Sequence, residues 1–148
     1  MTAAWIVLLA VAILVLAFGI VAFVMSRVRR SSDARIAARF GPGEVVLRDP
    51  LANYQGLASR GGRQLVGNGA LVLTRDLLWF HRFGAGEPLE IPLSRVRDAD
   101  LVRAHAGRSV GRDLVRVEFE GGPDGVDSAA WWVREPGPWL EELRARRR

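Results

Sequence analysis

The chain opens on AAWIVLLAVAILVLAFGIVAFVM (Ala3–Met25), 23 consecutive residues without a charged side chain, and SRVRR (Ser26–Arg30) comes directly after it. At about 1.5 Å per residue, a helix over this stretch is roughly 34 Å long, enough to cross a hydrocarbon core about 30 Å thick. We therefore predict a transmembrane helix over residues 3–25. A cleaved signal peptide is the disfavoured alternative, because no basic residue precedes the apolar run and no A-x-A pattern ends it.

The charges on the two sides of this helix predict its orientation. The first four residues carry no charged side chain, whereas five arginines come after the apolar run: Arg27, Arg29, Arg30, Arg35 and Arg39. The positive-inside rule then places the N-terminus outside the cell and the rest of the chain in the cytoplasm, at the plasma membrane. We also take Arg27, Arg29 and Arg30 as candidates for contact with anionic lipid headgroups.

After the apolar helix, the positive charge is concentrated at the two ends of the remaining chain. Residues 26–39 carry +4 and residues 144–148 carry another +4, whereas residues 40–143 carry −3, which gives the net charge of +5. A nucleic-acid-binding domain needs a basic face on the fold itself, so we expect no nucleic-acid partner. Basic ends instead suit an anionic inner leaflet.

Beyond Gly41 the apolar pattern changes from helical to alternating. Val115, Val117 and Phe119 alternate with charged residues, which is typical of a strand with one wet face. Glycine-rich turns separate such segments with no helix between them, so we predict an antiparallel sandwich or barrel. The predicted strands are 44–48, 54–59, 69–74, 77–83, 89–93, 96–103, 115–120 and 127–134, of which 54–59 is the weakest.

The last segment predicts a short helix. Pro136 and Pro138 suit a helix start, and Trp139, Leu140 and Leu143 then form one apolar stripe. Such a helix needs a sheet to cover, and the open end of a small barrel is the natural place. The predicted organisation is a transmembrane helix (3–25), a basic juxtamembrane linker that can continue the helix (26–42), a β-domain (43–145) and a basic tail (146–148).

Part of the β-domain resembles a known family. GALVLT (Gly69–Thr74), together with Leu78 and Phe80, resembles the G-x-L-x-L-T-x-x-x-L-x-F hairpin of PH-like and GRAM-like domains. IPLS (Ile91–Ser94) resembles the next strand, and WWV (Trp131–Val133) resembles the closing strand. The chain is similar to small bacterial PH-like proteins with one N-terminal transmembrane helix. The resemblance implies a mainly β fold: a PH-like barrel or sandwich of about seven strands, capped by the C-terminal helix.

Catalytic chemistry is not indicated. Cysteine and lysine are absent, so there is no thiolate ligand, cysteine nucleophile or Schiff base. GRSVG (Gly107–Gly111) matches the G-x-S-x-G nucleophile motif, but both histidines, His81 and His105, precede Ser109 and we predict a flexible hairpin loop there instead. Two histidines 24 residues apart match no zinc spacing. We expect no enzyme, no metal and no cofactor, with a hydrolase as a remote alternative.

Two groups of residues are candidate binding sites. Arg60 and Arg63, in RGGR, can hold an anion together with backbone N–H groups, as basic residues of an early loop do in PH-like folds that bind phosphorylated lipids. An ordinary turn is the alternative. Trp131 and Trp132 must point to opposite faces of their strand, so at least one can enter the core. The exposed member of this pair is a candidate for contact with a partner.

These features predict a membrane-anchored, non-catalytic PH-like binding or scaffold module on the cytoplasmic face of the membrane. Its partner would be a protein or peptide, bound through a sheet edge or an exposed tryptophan, with anionic lipid contact second. The alternative is a structural subunit that forms homo-oligomers. Ala3, Ala10 and Ala17 recur every seven residues and can line a close contact between helices.

Overall fold

The structure is a computed structural model that describes residues 3–84 and 86–147. A long helix, seven strands and a terminal helix occur in this order along the chain, which confirms the predicted fold class. Short 3₁₀ turns lie at Ala58–Arg63 and Leu93–Arg95. The elements are α1 (Ala3–Arg39), β1 (Val45–Leu57), β2 (Gly67–Thr74), β3 (Leu77–Arg82), β4 (Leu89–Pro92), β5 (Val96–His105), β6 (Arg108–Glu120), β7 (Val126–Trp132) and α2 (Pro136–Arg146).

The strands form one antiparallel sheet in the order β4-β3-β2-β1-β7-β6-β5, which does not close on itself. The 13-residue β1 stands at its centre. Its pairing with β2 runs from Val45 opposite Thr74 to Tyr54 opposite Gly67, and its last residues also pair with β7. A register shift between Asp49 and Ala52 interrupts the ladder with β2. Because such irregularities bend a strand, β1 can belong to both layers of a sandwich.

The main core lies between the inner faces of the folded sheet. β2 contributes Leu71 and Leu73, and β7 contributes Trp131, all at most 1% exposed. The terminal helix adds Trp139 and Leu143, which are 4% and 1% exposed. α2 therefore covers the sandwich through the apolar stripe that the sequence predicted.

A second, smaller core lies on the outer face of the same sheet. Every residue of β2 from Gly69 to Thr74 is buried, so this strand is covered on both sides. Ala70 and Val72 point away from the main core and contact Ile36 and Phe40, at the end of α1. Trp79 completes the cluster, with its ring 5.4 Å from that of Phe40 in an edge-on arrangement.

The predicted linker is therefore helical as far as Arg39, one of the two forms that we expected for it. α1 has 37 residues, about 55 Å of continuous helix, and its first part is long and apolar enough to span a membrane by length and composition. Polar contacts flank the packed face: Asp33 with Arg48 at 3.4 Å, and Arg39 with Glu90 at 3.4 Å. The β-domain thus joins α1 through a packed interface.

Several element boundaries differ from the prediction. β1 unites the two strands predicted at 44–48 and 54–59. β6 begins at Arg108, so the predicted flexible loop over Gly107–Gly111 is wrong in extent, and the turn is confined to Ala106 and Gly107, whose φ angles are 50° and 77°. α2 extends to Arg146, so the first residue of the predicted tail is helical.

Candidate functional site

The contacts of α1 fix which end of the sheet lies toward the apolar segment. Phe40 packs in the cluster that includes Val45 at the start of β1, whereas Asp33 pairs with Arg48. Arg29, still nearer the apolar segment, shares a cleft with Leu51. β1 therefore runs along α1 in the opposite direction. The C-terminal end of β1, and the connection from it into β2, therefore lie at the end of the domain that is nearer the apolar segment.

A cleft of about 560 Å³ lies at this end, between the β1–β2 and β3–β4 connections, and we call it the loop-end cleft. Arg60, Arg63 and Arg82 line it, against a single acid, Glu87. Leu65, on its rim, is 75% exposed, the highest value of any large apolar side chain outside α1 in the described chain. The two arginines predicted from the sequence thus come together, and Arg82 joins them from another strand.

The β1–β2 turn is held in one shape by the Gln64 side chain. Its Oε1 accepts from the backbone N of Leu57 at 2.7 Å, and its Nε2 donates to the carbonyl oxygens of Leu57 and Gly61, each at 2.6 Å. Gly56 has a φ of 96°, and a Cβ there would collide with the Gln64 side chain, so glycine is required. Asp127 fixes the other side by accepting from the backbone N of Ser59 at 3.0 Å.

The tip of the β5–β6 hairpin braces the same turn. His105 Nε2 donates to the carbonyl oxygen of Gly56 at 2.9 Å, and Arg108 donates to the carbonyl oxygens of Gly62 and Gln64. Arg108 is therefore engaged by the backbone of the turn. Burial raises the pKa of Tyr54, at the base of the loop-end cleft, to about 12, so its phenol is neutral at physiological pH.

Trp131 and Trp132 point to opposite faces of β7, as the alternation of side chains along a strand requires. Trp131 is 1% exposed in the main core, so it is the member of the pair that enters the core and is removed as a candidate contact residue. Trp132 lies on the other face, half-buried, with the Arg112 guanidinium 5.4 Å from its ring centre. Of the two, only Trp132 stays a candidate contact residue.

The sheet has two edge strands, β4 and β5, and they differ in accessibility. β4 has four residues and ends in proline, features that disfavour strand addition. On β5, Arg144 Nε donates to the carbonyl oxygen of Ala99 at 3.0 Å, so this oxygen points away from β6. Along an antiparallel edge strand, the direction of the backbone N–H and C=O groups alternates from one residue to the next. The backbone groups of Leu101, two residues later, therefore also point away from β6. The Leu101 side chain is 42% exposed, so this end of β5 is open.

The three arginines after the apolar run do not converge on one site. Arg27 and Arg30 are exposed on α1. Arg29 lines a cleft of about 320 Å³ between α1, the first half of β1 and the connection from β7 to α2. We call this the junction cleft.

Within residues 3–84 and 86–147, no group of three or more histidine, aspartate or glutamate side chains could hold a metal ion. Both histidines have structural contacts. His81 lies between Arg35 Nη1 and the carbonyl oxygen of Gly86, at 3.2 Å from each, and His105 braces the β1–β2 turn.

No family model matches the chain, and no curated protein matches it. The fold is similar to that of solved structures, among them a chain of the 8S snRNP assembly intermediate, with a TM-score of 0.57 and 9% identity. This likeness covers 71% of the present chain and 83% of the other. At such low identity it concerns the fold alone.

Stability should depend on pH through His105. Burial lowers the pKa of this imidazole below its usual value of 6.5. As the pH falls below about 6.5, the unfolded chain binds a proton that the folded chain binds only at lower pH, so the free energy of unfolding should decline. Denaturant unfolding of the detergent-solubilised full chain at about pH 7.5 and about pH 5.5 measures this.

The variant His105→Gln should lack this part of the pH dependence, whereas His81→Gln, changed at a less buried histidine, should retain it. An unchanged pH dependence in His105→Gln would show that His105 does not titrate as its burial requires.

Proposed function

We propose that the chain is a single-pass membrane protein whose cytoplasmic β-domain is a non-catalytic PH-like binding module. The strand order, the long central β1 and the closing α2 support a PH-like fold, in agreement with the hairpin sequence Gly69–Thr74. The arginines between Arg27 and Arg39, all on the domain side of the apolar segment, support an inward-facing domain at the plasma membrane.

The observation that carries this proposal is the docking of α1 on the sheet. Ser32, the first buried residue of α1, lies seven residues after Met25, so the packed interface begins about 10 Å from the apolar segment. A domain held this close to a bilayer, with its β1–β2 turn directed toward it, suits recruitment or scaffolding at the membrane surface. The surfaces that the described structure offers for binding support a binding module.

The open end of β5 is the surface best suited to a protein partner. An extended peptide can add as a further strand, with main-chain hydrogen bonds to the outward groups of Leu101 and its neighbours. The exposed Leu101 side chain adds an apolar contact at the same place. A second copy of the chain can pair there too, which would give the homo-oligomeric assembly that is the alternative function.

Changing Leu101→Lys should abolish partner binding, because an edge lysine opposes strand addition and costs an exposed site little. The matched control is Leu65→Lys, at the other exposed leucine of the domain. Both variants are crosslinked in cells and purified from detergent-solubilised membranes, and the co-purified proteins are identified. We expect the partner to be lost only in Leu101→Lys.

The other possible results of this crosslinking experiment also test the proposal. A crosslinked product of twice the chain mass that is lost in Leu101→Lys would favour the homo-oligomer. A partner retained in both variants would remove β5 as the site. A monomeric chain with no partner in the unmodified protein would contradict the binding module itself.

Anionic lipid contact at the loop-end cleft is a second ligand interaction that a specific arrangement favours. Arg60, Arg63 and Arg82 surround a cleft on the membrane side of the domain, and Leu65 projects from its rim. Guanidinium groups pair well with phosphates, and an exposed leucine can enter the headgroup layer beside them.

A fluorescent probe at Leu65→Cys tests this contact, since the chain has no other cysteine. In nanodiscs, phosphatidylglycerol should shift the probe emission to the blue relative to phosphatidylcholine. Arg63→Gln should weaken the contact roughly fivefold, from about 1 kcal/mol per arginine near the surface. Arg75→Gln, in the turn at the opposite end of β2, should leave it unchanged. An emission that is the same in both lipids would contradict lipid contact at this cleft.

A further inference from the structure

The junction cleft brings together arginines from three separate elements. Arg29 comes from α1, Arg48 from β1 and Arg134 from the connection between β7 and α2. They are far apart in the sequence. The hydrogen bond from the backbone N of Arg134 to Asp49 keeps Arg134 near Arg48, and the docking of α1 adds Arg29 to the same cavity of about 320 Å³. The apolar part of its lining includes Leu47, Leu51 and Trp139.

The acids of this region are largely engaged elsewhere. Asp49 is buried and accepts from the backbone N of Leu51 at 2.9 Å and of Arg134 at 3.0 Å. Asp33 pairs with Arg48, and Glu135 is exposed on the rim. Among residues 3–84 and 86–147, no carboxylate forms an ion pair with the side chains of Arg29 or Arg134. Two guanidinium groups therefore remain for a ligand.

The first turn of α2 reinforces the positive potential. The 11-residue α2 starts beside the cleft, and the N-cap residue before it, Glu135, makes no side-chain capping hydrogen bond. Pro136 and Pro138 have no N–H group, so Gly137 supplies the unpaired donor within this turn. A helix N-terminus favours an anion, in addition to the arginines.

The depth of the cleft indicates which anion it meets. Arg29 lies four residues after Met25, about 6 Å along the helix from the apolar segment. In a bilayer about 40–45 Å thick with a hydrocarbon core of about 30 Å, this is the level of the headgroups. The anion that is abundant at that level is the phosphodiester of a phospholipid.

We infer that the junction cleft binds the headgroup of an anionic membrane phospholipid. Arg29 and Arg134 donate to its phosphate from opposite sides, and Leu51, which is level with Arg29, contacts its glycerol. The lipid bridges α1 and the β-domain, so its binding strengthens their docking. This inference rests on the proposed membrane span, and it concerns a site separate from the loop-end cleft.

The test measures ligand binding by thermal stabilisation of the detergent-solubilised full chain. The probes are dihexanoyl phosphatidylglycerol, dihexanoyl phosphatidylcholine and glycerol 3-phosphate. We expect saturable stabilisation by phosphatidylglycerol alone. Arg134→Gln should weaken this binding about tenfold, the effect of losing one charge-assisted hydrogen bond. Arg29→Gln, which changes α1 and leaves the β-domain intact, should weaken it similarly. Arg75→Gln is the matched control, at the far end of the sheet, and should bind as the unmodified chain does.

Four results would overturn the inference. These are unchanged binding in both Arg29→Gln and Arg134→Gln, equal stabilisation by phosphatidylcholine, equal stabilisation by glycerol 3-phosphate, or loss of binding in Arg63→Gln alone. The third would identify a soluble phosphate as the ligand, and the fourth would place the lipid in the loop-end cleft. Carbonate extraction of the membranes distinguishes failure of the proposed membrane span from failure of this inference. A chain that washes off contradicts the membrane span, whereas a chain that stays and binds no lipid at the junction contradicts this inference alone.

Discussion

The packing of Ile36 and Phe40 against Ala70, Val72 and Trp79 is the contact on which the rest of the structure depends. It attaches the β-domain to the last turns of α1, a continuous helix whose apolar segment is exposed along its whole length. Burial of a large apolar side chain contributes about 1.5–3 kcal/mol, so this small cluster can hold the domain against α1. Two buried polar atoms in the interface, Ser32 Oγ and Trp79 Nε1, lack a partner among the described residues and offset part of this stabilisation.

The docking of α1 determines which surfaces of the β-domain lie near the apolar segment. It turns the loop-end cleft toward the apolar segment, and it creates the junction cleft by bringing Arg29 to Arg48 and Arg134. The open end of β5, where we propose that a polypeptide binds, belongs to neither cleft. A single interface thus arranges both clefts, where we propose lipid contact, on a small domain.

Much of the fold could be predicted because its signals are local. The apolar run fixes the first helix, alternation fixes the strands, and Pro136 with Trp139 fixes the start and face of α2. The second core also has signals in the sequence. Ser32, Ile36 and Phe40 recur every four residues on one helix face, and β2 is apolar on both faces, which requires a covering layer on each. Which element covers the outer face is decided by tertiary packing, and neither pattern contains that information.

The candidate sites were less predictable for the same reason. Arg60 and Arg63 could be singled out because they are neighbours in a glycine turn, but Arg82 joins them only through the pairing of β2 with β3. Alternation required Trp131 and Trp132 to face opposite sides. The register that sets Tyr54 opposite Trp131 decides which one is buried.

The most direct test of the docked helix is the reactivity of a single thiol beneath it. Ala70 is 1% exposed under α1, and Ala70→Cys would be the only cysteine of the chain. In native membranes, maleimide should modify it slowly. Ile36→Ser should speed the reaction more than about tenfold, because losing that side chain destabilises the interface by about 2 kcal/mol or more. Ala37→Ser, at the exposed neighbour, should not. If Ala70→Cys instead reacted as fast as a cysteine at the exposed Ala104, α1 would not be docked on the sheet, and the account would be contradicted.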